Sequence, residues 1–235
     1  MLGRLHADGG CQVTGVVRRP PDPTDPTYGT ATWLACDIGA PEAPRTLAAA
    51  LAGADALVDL AWSINPASDE APMDHTNLTG SRHVLQAVAE AGVPHVVCAS
   101  SCAAYSAAPR WSEVTEDWPR AGIAGSAYSL GKARFERLLD TFDAEHPGIT
   151  VARIRPCSIV QRAAAGEFAR WLLGPLVPVS LLGRPWRRLP FWPGLRAQLV
   201  HSEDVAEAIR LIKFPRSPID SNRLIDSQSE DIASN

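Results

Sequence analysis

Residues 73–99 read MDHTNLTGSRHVLQAVAEAGVPHVVCA, and this stretch decides the fold. Leu78, Val84, Leu85 and Val88 fall near helical spacing, which predicts one long helix over residues 73–91 with an apolar stripe. Gly92 follows, where a residue free to turn left-handed ends a helix. Residues 95–99 (HVVCA) are then a short, almost continuously apolar run, the form of a strand buried on both faces. A helix feeding directly into such a strand is half of a parallel strand-helix-strand unit.

The alternation continues outward. Residues 12–17 (QVTGVV), 31–36 (ATWLAC), 56–60 (ALVDL) and 149–154 (ITVARI) are further short β-branched or apolar runs bounded by Gly, Pro and Asp. Residues 20–26 form a loop, and 46–51 read as a helix. Residues 126–142 read as another, with Phe135, Leu138, Leu139 and Phe142 on one face. A strand at 198–201 leads into a helix that Ser202 would cap, with Val205, Ile209 and Ile212 inward. This order predicts an α/β protein with a parallel sheet covered on both faces. Residues 172–195 are irregular and rich in Pro, Trp and Arg, and the polar, aperiodic residues after 215 read as a flexible end.

Composition narrows the class of function. The chain has 235 residues, 46% hydrophobic and 20% charged, with 22 basic and 26 acidic residues and a net charge of −4. Such a balance suits one domain with a sizeable core and carries no basic footprint for nucleic acid. Apolar stretches are broken well before the roughly 18 residues that a membrane span needs, and the start lacks the order of a signal peptide. A cytoplasmic protein is expected. Cys11, Cys36, Cys98, Cys102 and Cys157 show no paired spacing, which predicts reduced thiols and no structural metal.

Tyr128 and Lys132 lie four apart on the helix expected over 126–142, hence on one face. An ammonium beside a phenol draws its pKa down, which suits proton exchange with an alcohol or carbonyl. Such a pair also occurs on ordinary amphipathic helices. Here, however, only Lys132 and Lys213 among the 22 basic residues are lysines, and Ser100-Ser101 end a strand just upstream. In a chain that otherwise writes its cations as arginine, a compact ammonium at 132 points to a requirement for an amine.

Four further segments, together with that pair, resemble one family. They are residues 96–106 (VVCASSCAAYS), 77–93 (NLTGSRHVLQAVAEAGV), 155–160 (RPCSIV) and 198–209 (QLVHSEDVAEAI). In order along the chain they resemble the extended short-chain dehydrogenase/reductases, the NAD-dependent epimerases/dehydratases. The resemblance implies a Rossmann-like doubly wound parallel sheet that binds NAD or NADP, with a small C-terminal substrate region. It divides the chain into a dinucleotide-binding core over 1–160, a substrate or lid region over 161–213 and a tail over 214–235. It implies Tyr128 as acid/base, Lys132 as its partner on the nicotinamide ribose, and Ser101 as the hydroxyl holding the substrate oxygen. Ser100 and Pro156 would lie beside the nicotinamide, Asp37 and Ile38 at the adenine, and Ala61 and Trp62 on the turn past the pyrophosphate and ribose. Asn77 and Ser158 complete the cofactor set; a helix-start polar group is the plain alternative for Asn77.

Several features depart from the family pattern. The first strand and the GxxGxxG loop that receives the pyrophosphate are not recognisable, and MLGRLHADGG reads as the end of a first helix. Either the native start lies upstream of Met1 or the chain is a shortened form, and without that loop weak dinucleotide binding is expected. Arg18 and Arg19 follow strand 12–17 where an acid would favour NAD; they either meet the 2′-phosphate of NADP or are exposed loop residues. Ser158 and Ser106 replace an amide and a glycine. Residues 183–196 (GRPWRRLPFWPGLR) suit either a substrate lid or a surface contact. The expectation is an NAD(P)-dependent oxidoreductase or epimerase/dehydratase acting on a small-molecule or sugar-type substrate, and a homodimer is compatible with it. The alternatives are a non-catalytic dinucleotide-sensing or scaffold protein, or an inactive fragment of such an enzyme.

Overall fold

The computed structural model describes residues 2–7, 11–22, 24–64, 73–164 and 198–212. After a short helix α1 (Leu2–Ala7) come strands β1 (Thr14–Val17) and β2 (Thr32–Ala35), helix α2 (Ala43–Leu51) and strand β3 (Leu57–Asp59). Helix α3 (Ser81–Ala91), strand β4 (His95–Ala99), helix α4 (Ala127–Glu145) and strand β5 (Thr150–Ile154) follow. Strands β6 (Ser158–Val160) and β7 (Leu199–His201) and helix α5 (Ser202–Leu211) complete the described elements. Among the described residues every strand pairing is parallel, as expected for an α/β chain whose strands are joined by helices. The described strands form three hydrogen-bonded groups, β1-β2, β3-β4-β5 and β6-β7.

Strand β4 is the centre of the core. Val96, Val97 and Cys98 are each 0% exposed, so both pleats of the strand are covered. On one side Leu47 and Leu51 of α2, Val84, Leu85 and Val88 of α3, and Phe135, Leu139 and Phe142 of α4 pack into one cluster with Val96 and Cys98. Val84, Leu85 and Val88 of the stripe read from sequence therefore form the buried face of α3, while Leu78 lies before that helix. Gly92 closes that helix at φ 68°, ψ 32°, donating to Ala89 and Val88 carbonyls, and the next N–H, of Val93, bonds Val88 at 3.1 Å. Those bonds satisfy carbonyls that the helix end would leave unpaired.

Two local expectations are corrected. Residues 75–80 are not α-helical; His75–Gly80 is a π-helical turn. The wider turn turns Asn77 towards Ser63 while Gly80 sits under Ile38, where a Cβ would come within 2.6 Å of the Ile38 side chain. The cap of α5 is His201 rather than Ser202: His201 Nδ1 accepts the Glu203 N–H at 3.3 Å, and Ser202 Oγ donates to Gln161 at 3.1 Å. Strand β6, not among the strands read from the sequence, pairs in parallel with β7. The Arg/Trp-rich segment 183–196, Lys213 and the tail 214–235 lie outside the described residues. Among the described residues, no helix is long and apolar enough to cross a membrane.

Leu139 of α4, fully buried in the cluster with α3 and β4, tests this packing. Leu139→Ala is expected to destabilise the fold by about 2–5 kcal/mol in urea unfolding, as transfer and cavity losses add. A change under about 0.5 kcal/mol would place Leu139 outside the core.

Candidate active site

The site begins where β4 ends. Ser100 N–H bonds the Ile154 carbonyl at 2.8 Å, and Ser101 caps a tight turn, Cys102–Ala104, its Oγ accepting the Ala103 N–H at 3.1 Å. That turn packs against the first turn of α4, which Ser126 caps by accepting the Ser129 N–H at 3.3 Å. Ser129 joins the two: its Oγ donates to the Ala103 carbonyl at 2.6 Å and accepts the Ile123 N–H at 2.7 Å. Both the Ser101 turn and the chain entering the helix are thereby pinned one residue from Tyr128, which is half-buried. Ser106 holds the intervening loop, its Oγ accepting Ala121 N–H and its carbonyl accepting the Trp118 indole N–H, each at 3.1 Å.

Lys132 is 3% exposed. Its Nζ donates to the Ala99 carbonyl at 2.9 Å and lies 3.5 Å from the centre of the Trp62 ring. Burial pushes the amine down to about 8, against the opposing pull of Asp59, Cys98 and Glu136. Asp59, buried at the end of β3, is raised by that burial, while its bond from Ala61 N–H and the charge of Lys132 act against the rise. The ammonium thus meets a carbonyl and an aromatic face.

One turn further along α4 stands Glu136, which is 0% exposed. Arg155 grips it with Nε at 2.7 Å and Nη2 at 2.9 Å, and Arg120 adds a bond at 2.9 Å. Arg153 approaches at 3.5 Å and pairs also with Asp140. Arg155 Nη1 donates in turn to Tyr105 Oη at 3.1 Å. Burial alone would raise the Glu136 carboxyl, but bonds from Arg155, Ser100 and Arg120 and the charge of Arg155 bring it down to about 2. Ser100 Oγ is buried beside this carboxylate.

The remaining candidates lie along the ends of β1, β2 and β3 and after β5. Arg18 and Arg19 are exposed just past β1. Asp37, past β2, accepts the Gly39 N–H at 3.0 Å and lies 3.5 Å from His75, and the Ile38 carbonyl meets His83 Nδ1 at 2.8 Å. Asn77 is committed to Ser63, with Oδ1 accepting its N–H at 2.6 Å and Nδ2 donating to its carbonyl at 2.9 Å. Pro156 is half-buried and accepts the Cys102 N–H at 3.1 Å, while Ser158 is exposed. Asp59, Ser129, Glu136 and Arg155 were not singled out as site residues from sequence. A second helical turn after Lys132 was the one available signal, because it puts Glu136 on the face of Tyr128 and Lys132.

These residues fit a dinucleotide at both ends: an acid and an apolar side chain after β2, and a buried hydroxyl and an amine after β4. Among the described residues no glycine-rich turn stands between them to receive the pyrophosphate. The profile of the NAD dependent epimerase/dehydratase family matches residues 1–214. The chain belongs to that family. No curated protein sequence matches it significantly. A short-chain dehydrogenase/reductase superfamily protein from Agrobacterium tumefaciens, solved with bound NAD, is 26% identical with TM-score 0.56, over 68% of this chain and 45% of its own. MoeE5 in complex with UDP-glucuronic acid and NAD superposes with TM-score 0.67 at 23% identity, over 92% of this chain and 69% of its own. UDP-glucose-4-epimerase from Stenotrophomonas maltophila, with bound NAD and formylated UDP-arabinopyranose, gives 0.66 at 20% identity, over 87% and 67%. Against gox2253, 25% identical, the chain spans about half the length of the solved protein, 48%. At 23% and 20% identity, the likenesses to MoeE5 and to UDP-glucose-4-epimerase establish the shared Rossmann-like fold alone.

The depressed Glu136 carboxyl makes a prediction about acid. Its folded pKa, about 2, lies below the ordinary 4.5, so its stabilisation is complete above pH 4.5 and is lost as pH falls towards 2. Glu136→Gln should cost about 3–5 kcal/mol at pH 7, where it leaves buried guanidiniums uncompensated, and should flatten the acid limb of the urea midpoint. Parallel acid limbs in the two proteins would assign that stability elsewhere.

Proposed function

We propose that this chain works as an NAD(P)-dependent oxidoreductase or epimerase/dehydratase on a hydroxyl or carbonyl of a small-molecule or sugar-type substrate. The observation that carries this reading is the bond from Ser129 Oγ to the Ala103 carbonyl, which ties the Ser101 turn to the helix of Tyr128 and Lys132. Sugar-nucleotide complexes among the similar structures support the substrate class. In this reading Tyr128 exchanges a proton with the substrate oxygen and Ser101 holds that oxygen in line. Lys132 anchors the nicotinamide ribose, and Ser100 and Pro156 border the ring. Asp37 and Ile38 take the adenosine end, with Arg18 near its ribose, while Ala61, Trp62, Asn77 and Ser158 shape the path between. NAD or NADP, when bound, supplies hydride transfer at the nicotinamide. A cytoplasmic location is part of this reading.

The test is a panel of nucleoside-diphosphate sugars with NAD or NADP, followed by nicotinamide absorbance and product analysis. Tyr128→Phe should lower turnover by about 10²-fold or more while dinucleotide titrations stay unchanged, since only a proton-transfer group is lost. Equal turnover by Tyr128→Phe would remove the tyrosine from the chemistry.

A further inference from the structure

Trp62 stands over the amine that the proposed function requires. Its ring centre is 3.5 Å from Lys132 Nζ, 5.6 Å from the Phe135 ring and 6.4 Å, edge-on, from the Tyr128 ring. A Cβ at Gly131 would come to 3.4 Å from Trp62 Cζ2, so the indole lies on α4 where residue 131 offers no side chain. With the Ala99 carbonyl behind it and Trp62 and Phe135 around it, Lys132 is left 3% exposed. The titratable groups that face the amine are Asp59 from β3, Cys98 from β4 and Glu136 from α4.

The backbone on each side of Trp62 is held. Asp59 Oδ1 accepts the Ala61 N–H at 3.0 Å, and Asn77 takes both the N–H and the carbonyl of Ser63, at 2.6 and 2.9 Å. A ring carried between two clamped neighbours moves by rotation about its own side-chain bonds. We propose that Trp62 gates Lys132: with the indole seated the amine is sealed, and a ligand hydroxyl reaches Nζ only when the ring turns aside. The functional side of this gate rests on the reading that Lys132 serves the ribose. A dinucleotide must then displace a cation–π contact before it gains its hydrogen bond. Trp62 sets how readily the site accepts it.

Lys132 and Lys213 are the only lysines, so the full chain labelled with 13Cε-lysine gives two signals, assigned with Lys213→Arg. In the wild type the Lys132 signal should titrate near 8, against 10.5 for an unperturbed lysine, and should resist relaxation by a soluble gadolinium chelate. In Trp62→Ala its midpoint should rise by about one pH unit or more as water enters, with several-fold stronger relaxation. Trp62→Phe, which keeps a smaller ring, should shift both readings the same way by less, and it decides the matter if the alanine variant does not fold. An unchanged midpoint or unchanged relaxation in the folded variant overturns the gate. NADH should bind Trp62→Ala several-fold more tightly than wild type. If NADH leaves the Lys132 signal unmoved in both proteins, the ribose role of Lys132 fails, while the gadolinium comparison still judges the gate.

Discussion

The buried carboxylate of Glu136 holds the frame in which the candidate chemistry sits. It projects from α4, the helix of Tyr128 and Lys132, and takes guanidinium bonds from Arg155 beyond β5 and Arg120 in the loop before the helix. Arg155 also reaches Tyr105, which closes the turn begun by Ser101. Burying such charges costs several kcal/mol per ion, and they are tolerated only when nearly every donor and acceptor is used. A small displacement of α4 relative to the strand ends would strand a charge, so the cluster resists it far more steeply than an apolar contact would. Rigidity follows from that penalty rather than from the strength of any one bond.

The polar groups of Ser129 and Asn77 are arranged differently. Ser129 uses its hydroxyl as donor and acceptor at once, and Asn77 spends both ends of its amide on Ser63. These bonds fix backbone segments and leave side chains able to turn. Trp62, between two fixed neighbours, is held by dispersion and a cation–π contact, which are weaker and less directional than the Glu136 cluster. The helix of Tyr128 and Lys132 is thus anchored by ion pairs, while the ring over Lys132 is held by the weaker contacts.

Much of this was legible in the sequence. The stripe of Leu85 and Val88, the stop at Gly92 and the unbroken apolar run of β4 express periodicity and local turn chemistry, which depend only on near neighbours. Scarcity of lysine singled out Lys132. Its cover was not legible, because Trp62 lies seventy residues upstream and an aromatic on a strand-end turn says nothing of the cation it faces. The partners of Glu136 lie 16 to 19 residues away on other elements, beyond any periodicity. Ser129 reads as an unremarkable helical serine until the turn it bonds is in place. The π-helical turn at His75–Gly80 likewise answers Ile38 and Ser63, both distant in sequence.

The account is tested most directly by a crystal structure of the chain grown with NAD and a nucleoside-diphosphate sugar. It predicts the nicotinamide bordered by Ser100 and Pro156, the Trp62 indole rotated away from Lys132, and Nζ bonded to ribose hydroxyls. Tyr128 Oη and Ser101 Oγ should both reach one substrate oxygen at about 2.6–3.2 Å, directly or through one water. A dinucleotide held elsewhere, or bound with Tyr128 and Ser101 facing different clefts, would contradict it.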